Sequence, residues 1–299
     1  MKLFNANKQN KKKFEESDLP STRKKQFGDI LKLNYRCLVF CGLLLLLFFL
    51  PTMFCIIYKD SSQINIIKEY EGDELAQQLR FSNLLFSGLL IPSIMFFSLG
   101  LAGSLKIIRR LLWGEPVFLK EDFLIGIKEN YKGYLVVGFI GGVLNAINTL
   151  VVSFMPSNNF LSYLPLIALL VLFYPVIFVF AFYNVVYSEK IGKNLINSTK
   201  LYFRSVFITF LFCLLCYSLI LIKYIPSILK YFLAALIIIF VVPIMLLMFF
   251  EYEIHVFDKH INSYQYPQFV KRGLYVPPKV EDDNKKEKDH ESHSEKPHH

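Results

Sequence analysis

Residues 37–58 read CLVFCGLLLLLFFLPTMFCIIY, 22 positions without one Asp, Glu, Lys, Arg or His. A water-soluble fold buries single apolar faces. It does not leave an unbroken greasy run of this length, which matches the roughly 20 helical residues that cross a hydrocarbon core of about 30 Å. Five further runs behave the same way, at 81–105, 134–154, 161–186, 205–222 and 231–250, and none of them contains an ionisable Asp, Glu, Lys, Arg or His. A charge at mid-bilayer costs at least about 2.5 kcal/mol, so lipid demands this emptiness. Barrel strands would alternate apolar and polar residues over about ten positions, and these runs do not. The 299 residues are 54% hydrophobic and only 19% charged, below the roughly 25% of soluble domains. The expected class is an all-α integral membrane protein with six transmembrane helices.

Lysine and arginine set the expected orientation. The segments 1–36, 106–133, 187–204 and 251–299 hold 28 of the 33 cations, whereas 59–80, 155–160 and 223–230 hold 5. Such a bias places the first set, and with it both termini, on the cytoplasmic face of a plasma membrane. The net charge of +9 then reflects topology and attraction to an anionic inner leaflet, and no nucleic-acid partner is needed to explain it. The first run is too long for a cleavable leader and is read as an anchor.

Three short patterns, KLNYR (32–36), KENYK (128–132) and KLYFR (200–204), precede the first, third and fifth runs. Each mixes cations with aromatics, as headgroup-level segments do. The chain therefore reads as three hairpins, each introduced by a cytoplasmic amphipathic segment. In the central loop, Gly114-Glu115-Pro116 breaks the helix, and Leu119, Phe123 and Ile127 recur at four-residue spacing, which predicts a short surface helix. The expected organisation is a basic tail over 1–26, a membrane domain over 27–260 and a charged tail over 261–299. Beyond Pro277 the sequence has almost nothing apolar and reads as disordered.

Candidate functional residues are few. Gly138, Gly142 and Ala146 form a small-residue stripe suited to close helix approach. Asn145, Asn148 and Thr149 are the most polar cluster at membrane depth; they serve interhelical hydrogen bonds or, alternatively, a polar path. Glu251, His255 and Asp258 share one helical face at i, i+4, i+7, a spacing that suits a divalent metal, although a solvated helix end produces it equally well. Cys37, Cys41, Cys55, Cys213 and Cys216 all lie within the runs and read as small packing residues. Pro51, Pro92, Pro175 and Pro243 predict kinks whose freed carbonyls neighbours resatisfy. The sequence has no GxxxxGK[ST], GxSxG or HExxH, so no nucleotide, metal or other cofactor and no catalytic residue is expected.

Phe27, Leu33-Asn34, Leu50-Pro51, Gly100, Gly103, Ile108-Arg109-Arg110-Leu111, Glu115, Asp122-Phe123 and Lys128-Glu129-Asn130-Tyr131-Lys132 resemble the pattern of the YesL family of small bacterial membrane proteins. The resemblance covers roughly residues 27–220, and the long charged tail departs from it. It implies a multi-pass membrane protein whose genes accompany carbohydrate-uptake systems. The expected role is a non-catalytic accessory or scaffold, with transporter subunits or a second copy as partners. A small-molecule permease using Asn145 and Asn148 is the rival expectation, and a membrane-surface enzyme or metal protein at Glu251, His255 and Asp258 the third.

Overall fold

The computed structural model describes residues 19–154, 164–187, 189–218, 221–222, 225 and 229–276, and every regular element among them is helical. The elements are α1 (Arg23–Leu33), α2 (Tyr35–Glu69), α3 (Gly72–Leu112), α4 (Leu119–Phe154), α5 (Leu164–Ala168), α6 (Tyr174–Val186), α7 (Ile191–Arg204), α8 (Val206–Ser218), α9 (Leu229–Leu236), α10 (Val242–Phe257) and α11 (Ser263–Gln265). Five stretches are long and apolar enough to cross a membrane: Tyr35–Glu69, Gly72–Leu112, Leu119–Phe154, Leu169–Val186 and Leu229–Gln265. A sixth exists if α7 and α8, bent by 100° at Ser205, count as one span.

At 1.5 Å per residue, the 35 residues of α2 and 41 of α3 run about 52 and 62 Å, well beyond a hydrocarbon core. The stretch 59–80, which joins the first two apolar runs, is almost wholly helical. Only Tyr70 and Glu71 separate α2 from α3, and Gly72 at φ +58° turns the chain. At this far end Asp60 accepts from Tyr231 at 2.7 Å and pairs with Lys230, tying α2 to α9.

The three amphipathic segments differ from one another. α1, capped by Thr22, stops at Asn34 before α2 begins, and α7 stops at Ser205 before α8. The middle one does not stop: α4 runs unbroken for 36 residues. The separate surface helix expected there is instead the first part of a span, with Phe123 and Gly126 buried against α3. A Cβ on Gly126 would lie 3.0 Å from the Gly103 Cα, so two helix backbones meet where the sequence reads amphipathic. α3 and α4 make the most extensive contact of any pair, although the three-hairpin scheme assigns them to different hairpins.

Prolines shape the later spans. Wide π turns at Leu169–Phe173 and Ile237–Val241 stand just before Pro175 and Pro243. Pro175 has no N–H for the carbonyls of Leu170 or Val171. Tyr217 donates to the first at 2.8 Å and Tyr202 to the second. Ile239, four residues before Pro243, sets its carbonyl against Gly42 of α2, where a Cβ would lie 2.0 Å from the oxygen.

The most completely buried side chains, among them Ile107, Ile108, Tyr134, Tyr183, Tyr202, Phe250 and Phe257, gather toward the end of the bundle where Pro20 and Tyr275 meet. Elsewhere large apolar side chains such as Leu47 and Phe81 point outward, where lipid would meet them. The order extends past the expected domain limits. α1 begins inside the segment read as an N-terminal tail, and residues 261–276 are placed, with Ile261 and Asn262 buried. The expected tails beyond these points, 1–18 and 277–299, lie outside the described residues.

Candidate functional site

The chemistry-bearing side chains converge where α3 ends. Trp113 caps α3, and Gly114 follows at φ +67°. The indole is held between two guanidiniums, Arg109 at 4.5 Å and Arg272 at 4.2 Å from the ring centroid, and Phe269 stacks beside it at 5.3 Å. Arg272 also binds Glu115 at 2.7 Å, while its carbonyl accepts from Arg23 at 3.1 Å. Gln26, buried on α1, donates to the carbonyls of Leu112 and Gly273 at 2.6 and 3.0 Å. Gly273, at φ +83°, approaches so closely that a Cβ would lie 2.2 Å from the Leu112 oxygen. Tyr275 N–H donates to Pro20 at 3.1 Å, so both ends of the described chain are fastened to one platform.

Next to it, the resemblance-bearing residues lock α3 to α4. Arg110 binds the buried Asp122 at 2.7 Å, and Asp122 also accepts from the Phe118 N–H at 2.7 Å, satisfying a donor at the start of α4. Phe123 fills the space left by Gly103, and the buried Lys106 pairs with Glu129 at 2.5 Å.

Glu189 is the second hub. One oxygen accepts from Lys193 and Tyr266 at 2.5 and 2.8 Å; the other accepts from Tyr183 and Asn197 at 3.2 and 3.3 Å. Burial alone would raise its pKa. The hydrogen bonds from Lys193, Tyr266 and Tyr183, with the Lys193 charge, outweigh burial and hold the carboxyl below its ordinary value of 4.5. Tyr187, packed between the tilted rings of Tyr183 and Tyr266, is pushed up by burial and by those neighbouring groups; it donates to Asn262 at 2.5 Å. Beside this hub opens a cavity of about 440 Å³, walled by Asn130, Gly133, Asn184, Tyr187, Lys190 and Asn194.

The residues singled out by sequence fall elsewhere. Gly138 and Gly142 do form the α3 contact: a Cβ would lie 2.5 Å from the Met95 Cα and 2.9 Å from the Ile91 Cα respectively, with Ala146 half-buried further along. Asn145, Asn148 and Thr149 are half-buried on the same helix. Thr149 and Ser153 bond back to Asn145 and Thr149 at 2.9 and 2.8 Å, and Ser153 continues through Asn83 to Gln63. This polar ladder joins α4, α3 and α2. Among its neighbours, the Asn148 Oδ1 is buried without a partner.

Glu251, His255 and Asp258 do not assemble. Asp258 is taken by Arg23 at 3.4 Å, by Asn262 at 2.8 Å and by the Lys271 N–H at 3.1 Å, while His255 is exposed. Among the described residues no group of three His, Cys, Asp or Glu is arranged to hold a metal. The five cysteines are free thiols, with Cys41 and Cys213 buried.

Sequence reasoning missed Glu189, Asn184 and Asn194. The available signal was Asn184, the only carboxamide in the run 161–186. No family model, curated protein or solved structure matches the chain.

Proposed function

We propose that the protein is a non-catalytic accessory or scaffold component of a membrane assembly, and that the platform built on Trp113 and Glu189 is the surface it offers in the cytoplasm. The observation that carries this reading is the commitment of the platform's carboxylates to partners. Asp122 serves Arg110, Glu115 serves Arg272, Glu129 serves Lys106 and Glu189 accepts from four donors. Groups so engaged hold segments in register rather than trade protons with a substrate. The cytoplasmic side follows from the 28-to-5 division of cations. The fastening of Tyr275 to Pro20 supports an even number of crossings.

The resemblance to the YesL family directs the search for partners toward carbohydrate-uptake systems. Crosslinking in native membranes, followed by identification of what copurifies, tests the proposal. A transporter subunit is the expected result, and recovery of the chain with no partner at any crosslinker length overturns it. A permease reading draws on one observation, the unpartnered Asn148 Oδ1 at membrane depth. Saturable solute uptake into liposomes that disappears in Asn145→Leu would favour it.

A further inference from the structure

At the bend between α7 and α8 a groove of about 280 Å³ opens that neither hub uses. One wall is the corner at Ser205; the other is the end of α10 and the turn that follows it. Phe212 of α8 packs on Phe249 and Tyr252 of α10, at 4.3 and 5.3 Å between ring centroids, which holds the walls side by side. Four basic side chains converge here, Arg204 from the first wall and His255, Lys259 and His260 from the second. His260 feels the positive charge of the other three, and no carboxylate offsets it. The acids of the same helix turn elsewhere: Glu251 and Asp258 sit beside Arg23, and Glu253 is buried. Neither Arg204 nor Lys259 has an ion-pair partner among the described residues.

The groove also faces lipid. The chain turns through 100° at Ser205, so where α8 crosses the bilayer α7 lies along its surface and the corner falls at headgroup depth. Phe207 lines the groove and is 90% exposed, and Leu211 and Leu214 continue that exposed face along α8 at helical spacing. A basic mouth therefore runs directly into an apolar stripe that lipid covers. A soluble anion or an acidic peptide would engage the mouth and leave the stripe unused. The volume is just below the roughly 300–1,000 Å³ of pockets that enclose a whole small molecule, which suits a headgroup whose chains stay outside.

We propose that this groove seats the headgroup of an anionic glycerophospholipid from the leaflet on the side of the fastened chain ends. Arg204 and Lys259 neutralise the phosphodiester, and the imidazoles of His255 and His260 donate to its oxygens. One acyl chain lies along Phe207, Leu211 and Leu214. A zwitterionic lipid brings a cation of its own into the basic cluster and is disfavoured. The assignment is independent of the accessory role, because retained lipid and crosslinked partners are read separately.

The test uses the full chain in nanodiscs of phosphatidylglycerol and phosphatidylcholine in equal amounts, released for native mass spectrometry so that retained lipid is counted by mass. Retention of phosphatidylglycerol in preference to phosphatidylcholine is the expected result. Arg204→Gln and Lys259→Gln should each lower that retention about fivefold, the effect of one cation beside an anionic surface. Lys24→Gln with Lys25→Gln removes two exposed cations from α1, at the same end of the bundle, and should leave retention unchanged. Arg204 and Lys259 are exposed as well, so the fold survives all of these substitutions. Equal retention of the two lipids overturns the proposal. So does retention that neither groove substitution weakens, or that the α1 pair weakens as much. Release of the retained lipid by micromolar glycerol 3-phosphate would make the occupant a soluble ester and overturn it too.

Discussion

Gly138 and Gly141 stand three residues apart on α4, yet they face different worlds. A methyl on Gly138 would meet the Met95 Cα at 2.5 Å, whereas one on Gly141 meets nothing within 4 Å. Gly138→Ala must therefore push α3 and α4 apart, which costs about 1–3 kcal/mol, as other overpacked substitutions do. Gly141→Ala only removes backbone freedom from a helix and is expected to be neutral or stabilising by up to about 1 kcal/mol. Reversible unfolding in mixed micelles reads the difference, and equal effects of the two substitutions would remove the α3–α4 contact from the account. Gly142→Leu, against the Ile91 backbone, should lower the yield of folded protein far more than His255→Ala, whose side chain is exposed.

Among the helices, the division between what the sequence discloses and what it hides is physical. The spans were legible because lipid tolerates only uninterrupted apolar helix, and the Gly138–Gly142 stripe because close approach needs small residues at helical spacing. The break at Asn34 and its absence at Asn130 were not legible, since the motifs are nearly the same. What differs is tertiary: Gly126 lets α4 lie flush on α3, so the middle segment gains more as a continuation of its span. The docking of residues 261–276 was hidden because its stabilising contacts, Arg272 on Trp113 and Tyr266 on Glu189, join positions more than 70 residues apart.

Two outcomes follow for α6 and α7. Tyr202→Phe removes the donor to the Val171 carbonyl freed by Pro175 and should cost about 1 kcal/mol. In a Pro175→Ala background, where an N–H returns, the cost should shrink, as a double-mutant cycle of unfolding free energies will read. Glu189 ionises more readily folded than unfolded, so its contribution is complete above its ordinary value of 4.5 and is lost as pH falls through the lower folded value. Hydrogen exchange in α7, corrected for intrinsic rates, should accelerate across that acid window in the native protein. Glu189→Gln should show fast exchange at every pH without the step.

For the bundle as a unit, the decisive feature is that α1, the end of α3 and the segment up to Val276 are fastened together, while the turn at Tyr70-Glu71 lies at the opposite end of two helices of about 50–60 Å. With the cations gathered at the fastened end, single cysteines placed at Glu71 and at Tyr275 in a cysteine-free background should react from opposite faces of intact cells or inverted vesicles. Labelling of both from one face would mean that α2 and α3 do not cross the bilayer as full spans. The fastening itself is testable without a membrane sidedness assay. Gly273→Val introduces a side chain 2.2 Å from the Leu112 carbonyl at a φ of +83° that valine rarely adopts, so the segment must leave its groove. Limited proteolysis should then cut between residues 262 and 276 at concentrations that spare the native chain. Arg272→Ala, which removes one guanidinium from Trp113 and one of the two arginine partners of Glu115, should give the same cuts more slowly. Proteolysis unchanged by both substitutions would show that the C-terminal segment is held by contacts other than those on the Trp113 platform.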